Sequence, residues 1–259
     1  MKLFKKLTAL FLILAMLMPC TALATDYSSQ ISSIMSSFSL GNIRADSAYQ
    51  QQANGAYRMV ELLEIIALEK GCSSSSVSSI MSSFSLGNIR ADSALQQTAN
   101  GLYRCVELLE LIALKVGCSS SSVSSIMSSF SLGNIRADSA YQQQANGIYR
   151  CVELLELIAL KLGCSSSSVS SIMSSFSLGN IRADSALQQL ANGSYRCVEL
   201  LELIALKIGC SSSSVSSIMS SFSLGNLRAD SAIQQGANGL YRCVELLELI
   251  ARKWNNPFI

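Results

Sequence analysis

The chain contains no histidine. That excludes a histidine-based catalytic triad, a histidine-liganded metal and a histidine pH switch. Only two prolines occur, Pro19 and Pro257, so nothing between them forbids long helices. Charge is sparse and balanced, with 19 basic residues against 17 acidic. A basic field for nucleic acid is therefore missing. Long hydrophobic runs are missing too: the one from Leu7 to Met18 is too short for a bilayer span and gives way to polar sequence.

That run belongs to a recognisable segment. Lys2, Lys5 and Lys6 precede it, and Ala22-Leu23-Ala24 follows as a small-x-small cleavage site. Residues 1–24 read as a secretory signal peptide. A lipoprotein would acylate Cys20, but Pro19 stands where a lipobox needs a small residue. Removing the three lysines leaves 16 basic residues against 17 acidic, net −1. The expected destination is extracellular, cell-surface or periplasmic, with no integral membrane segment in the remaining chain, 25–259.

Self-similarity dominates that remainder. The phrase SSIMSSFSLGN begins at Ser32, Ser78, Ser124, Ser170 and Ser216, always 46 residues apart. Five units run at about 31–76, 77–122, 123–168, 169–214 and 215–259, which is the signature of a repeat architecture. In the second unit, Val77, Ile80, Met81 and Phe84 fall at i, i+3, i+4 and i+7 among serines, the pattern of a short amphipathic helix. Ser73 to Ser76 offer N-caps, and Leu86-Gly87 ends the helix. Asn88 caps a second, long helix from Ile89 to Val116, which Gly117 stops.

Asn100-Gly101 falls inside the long helix and is a common turn signal. An apolar seam nevertheless crosses it: Ala91, Leu95, Thr98, Leu102, Cys105, Leu109, Ile112 and Val116 follow the 4,3 spacing of a heptad register. An interior glycine costs only about 1 kcal/mol against alanine, so a continuous helix is expected, with a break as the alternative.

Eight cysteines follow the leader, four inside long helices and four just after them. Met59 replaces the first inner cysteine and Asn256 the last outer one. Pairing each outer cysteine with the next inner one leaves none over: Cys72–Cys105, Cys118–Cys151, Cys164–Cys197 and Cys210–Cys243. Such bonds suit an oxidising compartment. Reduced buried thiols are the alternative, and no close CxxC pair suggests a metal. The pairing requires the short and long helices to be antiparallel neighbours. The fold expected is therefore all-α: an α-solenoid or elongated three-helix rod of five short-plus-long units, cross-linked by inter-repeat disulfides.

Because the units are near copies, the positions that differ stand out. They are Tyr49/Leu95/Tyr141/Leu187/Ile233, Gln52/Thr98/Gln144/Leu190/Gly236, Ala56/Leu102/Ile148/Ser194/Leu240 and Lys70/Val116/Leu162/Ile208/Trp254. All four sets share one stripe of the long helix. Variable residues on a constant frame suit a recognition surface for a protein, peptide or glycan. The same positions belong to the heptad seam, so packing is the competing reading, and neutral drift a third. Arg104, Glu107, Glu110 and Lys115 recur as well, with Arg90 and Asp92 opening the helix. They read as a solvated face with i,i+3 pairs, because no nucleophile or base accompanies the carboxylates.

The chain resembles helical tandem-repeat proteins only in general. Its period lies in the range of HEAT and armadillo units, and the landmarks of tetratricopeptide and ankyrin repeats are missing. The expectation is a non-enzymatic exported scaffold without a cofactor that binds an extracellular macromolecule through the variable stripe. A structural or self-associating surface rod is the second reading.

Overall fold

The computed structural model describes residues 25–36, 48–82, 94–128, 140–174, 186–220 and 232–256. The expected leader, the expected short-helix ending at Leu86-Gly87 and its equivalents, and the expected start of the long helix from Asn88 to Asp92 lie outside the described residues. Every regular element described is an α-helix. Five are short: α1 (Ser28–Ser36), α3 (Ser74–Ser82), α5 (Ser120–Ser128), α7 (Ser166–Ser174) and α9 (Ser212–Ser220). They alternate with five long ones: α2 (Ala48–Glu69), α4 (Ala94–Lys115), α6 (Ala140–Lys161), α8 (Ala186–Lys207) and α10 (Ala232–Asn255).

Each long helix crosses its Asn-Gly without a break. The reason is tertiary. A Cβ on Gly101 would lie 2.9 Å from Cβ of Ala56, on the preceding long helix. Gly147 meets Leu102 at 3.0 Å, Gly193 meets Ile148 at 2.6 Å and Gly239 meets Ser194 at 2.6 Å. Gly55 meets Leu240, of the last helix, at 3.0 Å. The asparagines serve the same interfaces: Tyr57, Tyr103, Tyr149 and Tyr195 hydrogen-bond to Asn100, Asn146, Asn192 and Asn238, and Tyr241 to Asn54. In both series the last contact joins the last helix to the first.

The long helices therefore form a closed ring in the order α2, α4, α6, α8, α10 and back to α2. They run parallel and in register, since equivalent residues meet. An α-solenoid or elongated three-helix rod was expected; a fifth of a turn per unit closes the five units into a ring instead. The heptad seam is real, and it is the seam of a five-stranded parallel coiled coil made from one chain.

Each long helix ends as Gly117 and its equivalents require. Gly71, Gly117, Gly163 and Gly209 have φ of 75° to 90°. The Gly71 N–H donates to Leu68 at 2.9 Å and the Cys72 N–H to Ala67 at 2.9 Å, a Schellman ending. The chain then doubles back outside the ring. Gly71 lies beside Lys115, whereas Ser75 to Ile80 lie beside Glu107 to Leu111. Val77 is the buried residue of α3, with Ile80 and Met81 half-buried.

One junction has no covalent link. There Asn255 takes the place of the glycine. Its Oδ1 accepts from the Tyr27 N–H at 3.1 Å, and its Nδ2 donates to Asp26 at 3.0 Å and Ser28 Oγ at 2.9 Å. Arg252 reaches Ser32 Oγ at 3.4 Å. Side-chain hydrogen bonds thus stand in for chain continuity between α10 and α1.

The expected disulfides do not form. Cys72, Cys105, Cys118, Cys151, Cys164, Cys197, Cys210 and Cys243 are all free. The inner four are fully buried within the ring. The outer four turn toward the C-terminal half of the next long helix. Cys164 Sγ donates to the Leu203 carbonyl at 3.6 Å, and Cys210 Sγ to that of Leu249. Leu203 lies six residues beyond Cys197, about 9 Å along the helix, and Cys197 faces the core. The expected pairs are thus separated in height and direction.

Two expected outcomes follow. Gly239→Ala gains roughly 1 kcal/mol of helix propensity, but overpacking against Ser194 costs about 1–3 kcal/mol. Thermal unfolding of that variant should occur several degrees lower, whereas Gln234→Ala, at an exposed position on the same helix, should leave the midpoint within about a degree. Reduction should leave the melting temperature of the purified chain unchanged; a large fall would show that disulfides carry stability.

Candidate functional site

The residues singled out for their variability face the inside of the ring. Seven levels stack along its axis, spaced as the heptad spacing demands. The second holds Gln52, Thr98, Gln144, Leu190 and Gly236, and the third Ala56, Leu102, Ile148, Ser194 and Leu240; all are buried. The first level, Tyr49, Leu95, Tyr141, Leu187 and Ile233, is half-buried at the N-terminal mouth. The seventh, Lys70, Val116, Leu162, Ile208 and Trp254, is half-buried at the C-terminal end. The stripe thus forms packing levels with two partly exposed rims rather than an outer face. Coordinated variation inside a closed core answers the compensation that cavities and overpacking demand.

The polar members of the second and third levels find carbonyls. Gln52 Nε2 donates to Ile233 and Gln144 Nε2 to Leu95, both at 2.7 Å. Thr98 Oγ1 donates to Ala94 at 3.0 Å and Ser194 Oγ to Leu190 at 2.7 Å. Gly236 is small because Gln52 lies over it; a Cβ there would be 2.8 Å from Nε2. At the first level, Tyr49 and Tyr141 belong to non-adjacent helices and meet across the mouth. Their hydroxyls are 3.2 Å apart, and burial with this contact pushes the Tyr49 hydroxyl up to about 12.

The fourth level holds Met59, Cys105, Cys151, Cys197 and Cys243. Burial is the main cause that pushes the Cys105, Cys151 and Cys197 thiols above their ordinary range. The weak S–H bonds to backbone carbonyls, such as Cys105 to Ala56 at 3.8 Å, are those of thiols. Among the described residues no cluster of three or more ligating side chains is gathered to hold a metal ion.

The fifth and sixth levels repeat without change: five leucines level with Leu63 and five isoleucines level with Ile66. With Trp254 they line an axial cavity of about 20 Å³ whose walls are entirely apolar. Lys70 Nζ stands 3.7 Å from the centre of the Trp254 ring, a cation–π contact at the bore's C-terminal end. Beside it, neither carboxylate oxygen of Glu69 has a hydrogen-bond partner among the described residues. Burial raises its pKa to about 7, opposed by Lys70. The other units carry lysine here, as Lys115, Lys161, Lys207 and Lys253.

The outer face presents grooves between a short helix and the next long one. Two of about 440 Å³ each are lined by Ser76, Ser79, Ile80, Glu107, Glu110 and Leu111, and by their equivalents from Ser168 to Leu203. Within each, Arg104 pairs with Glu107 and Arg196 with Glu199. Among the described residues the second carboxylate, Glu110 or Glu202, has no such partner. Desolvation, and then the neighbouring glutamate, raises the pKa of Glu64, Glu110, Glu156 and Glu202. In the fifth unit Arg252 replaces the leucine of the others and binds Glu248 at 2.8 Å. The sequence reading treated these glutamates only as a solvated face. The change from Leu206 to Arg252 was the signal that could have singled out the second carboxylate.

Glu69 gives a pH prediction. Its raised pKa means that protonation favours the folded chain. The contribution is present below the unfolded value, 4.5, and is lost as pH rises through about 7. Glu69→Gln should therefore raise the melting temperature at pH 8 and flatten its fall between pH 5 and 8; an unaltered profile would count against the assignment.

No family model, curated protein or solved structure matches the chain.

Proposed function

We propose that the protein is an exported, non-enzymatic scaffold that binds an extracellular protein or peptide through its repeated outer grooves. The observation that carries this reading is an inversion of the usual pattern. Several buried positions differ between units, while the exposed serines and half-buried glutamates of the grooves stay the same. Exposed positions are the ones that packing leaves free to change, so their constancy marks the surface in use. The groove chemistry suits a partner segment rich in arginine or lysine, because Glu64, Glu110, Glu156 and Glu202 lack the cation that Arg252 supplies to Glu248. Several like grooves on one frame give avidity without strong single contacts. Export rests on the leader, and among the described residues no helix is long and apolar enough to cross a membrane.

The test compares basic, neutral and acidic peptides, each immobilised at high density. The chain should be retained on the basic surface, with modest loss for Glu110→Gln and at least tenfold loss when Glu64, Glu110, Glu156 and Glu202 are all changed to Gln. Equal retention of that fourfold variant would remove the groove from the explanation. The second reading, a self-associating structural ring, rests on Leu114, Leu160 and Leu206, which are 40%, 39% and 41% exposed at equivalent places near the C-terminal rim. Oligomers in sedimentation that disperse when these three become Gln would favour it.

A further inference from the structure

We propose that Tyr49 and Tyr141 form an oxidative cross-linking site, joined by a peroxide-driven peroxidase into a dityrosine that ties the first long helix to the third across the N-terminal mouth. This site stands apart from the outer grooves and does not depend on them. The sequence singles out the pair. Of the eight tyrosines, Tyr57, Tyr103, Tyr149, Tyr195 and Tyr241 are buried and held by asparagines. Tyr27 lies at the open junction. The other two meet each other. Leu95, Leu187 and Ile233 fill the same position in the remaining units, so an aliphatic side chain satisfies the packing and a phenol is not required for it.

Geometry prepares the coupling. The hydroxyls are 3.2 Å apart, and the ring centres 6.4 Å apart at an interplanar angle of 56°. Coupling takes place at the ring carbons next to the hydroxyls, and the hydroxyls are the parts of the two rings in contact. The rings need to close by about 2 Å, the scale of side-chain motion at a half-buried rim. Tyr49 and Tyr141 are the second residues of α2 and α6, so the backbone behind each belongs to a first helical turn, where helices fray. Thiols, which would quench a radical, stand away from the pair. The level of Cys105 lies ten residues farther along the helices, about 15 Å. Cys72 and its equivalents lie beyond the C-terminal ends.

The step balances as a two-electron oxidation. Each phenol gives up one electron and one proton and becomes a phenoxyl radical. The two radicals form one carbon–carbon bond between ring carbons next to the hydroxyls. Each of those carbons then loses its hydrogen as a proton, and each oxygen regains one. One hydrogen peroxide accepts the two electrons and the two protons released and leaves as two waters. The new bond joins positions 92 residues apart. A link across so long a stretch restricts the unfolded chain, and it clamps α2 and α6 on either side of α4.

The test treats the full chain, in dilute solution, with a haem peroxidase and hydrogen peroxide. Dityrosine fluorescence should appear in the monomer, with a yield that does not vary with protein concentration. Tryptic peptides 45–58 and 137–150 should appear as one linked pair, lighter by two hydrogens than their sum, with the link at Tyr49 and Tyr141. Tyr49→Phe and Tyr141→Phe should each lower monomeric dityrosine at least tenfold, and Tyr27→Phe should leave it unchanged. The linked chain should melt several degrees higher than the untreated one, whereas Tyr49→Phe carried through the same treatment should show no such rise. Undiminished monomeric dityrosine in either phenylalanine variant would overturn the site. So would a link found only in dimers, a link mapped to another pair in the unchanged chain, or no dityrosine at all; the peptide map of the unchanged chain decides this even if a variant does not fold. An unaltered melting temperature of the linked chain would overturn the clamp.

Discussion

Parallel helices can surround a common axis as a single closed layer only if every interface is equally close. In this chain that closeness is set where Gly55, Gly101, Gly147, Gly193 and Gly239 face the helix before them, leaving no room for a methyl group without displacement. The Tyr–Asn hydrogen bonds lie at the same interfaces and fix the helices in height. With height and spacing fixed, the short helices have one place to go, the outer grooves between long helices. The Asn-Gly pair that looks like a turn in one dimension is an interface device in three. Its helix-propensity penalty is offset by burial of the seams on both sides.

An axis shared by five helices sets a second constraint. Identical large side chains from five directions compete for one central space, and identical small ones leave a void. The chain solves this differently at different heights. Near the N-terminal mouth it mixes sizes, so that Gln52 covers Gly236 and Tyr49 meets Tyr141 across the axis. Farther along it keeps five leucines and five isoleucines, and a narrow dry bore is the consequence. The variable positions are therefore where fivefold symmetry has been broken to fill space. The identical levels are where space remains.

Closing a ring from a linear chain also makes one junction different from the other four. Asn255 replaces a left-handed glycine, Asp26 and Tyr27 meet it, and Arg252 replaces a leucine while binding both Glu248 and Ser32. Asp26 is held at about 2 by its hydrogen bonds from Ser28 and Asn255. The absence of cysteine at Met59 and Asn256 suggested a chain of inter-unit disulfides. In the ring, Asn256 follows the residue that seals the open junction, and Met59 completes a level with four free thiols.

The repeat period, the alternation of short and long helices, the heptad seam and the glycines that end the first four long helices follow from the order of residues, because amphipathic spacing and left-handed backbone at glycine are local properties. The balance of charge is equally local. Whether five such units form a rod or a ring is not local. It depends on the small rotation between neighbouring long helices, set by contacts such as Gly239 against Ser194 between residues 45 positions apart. That rotation decided that the variable stripe faces inward, that outer and inner cysteines lie at different heights, and that an apolar bore runs between Leu63 and Trp254. A one-dimensional pattern can say which face of a helix is special. Only the closure of the ring decided whether that face meets solvent or the other four helices.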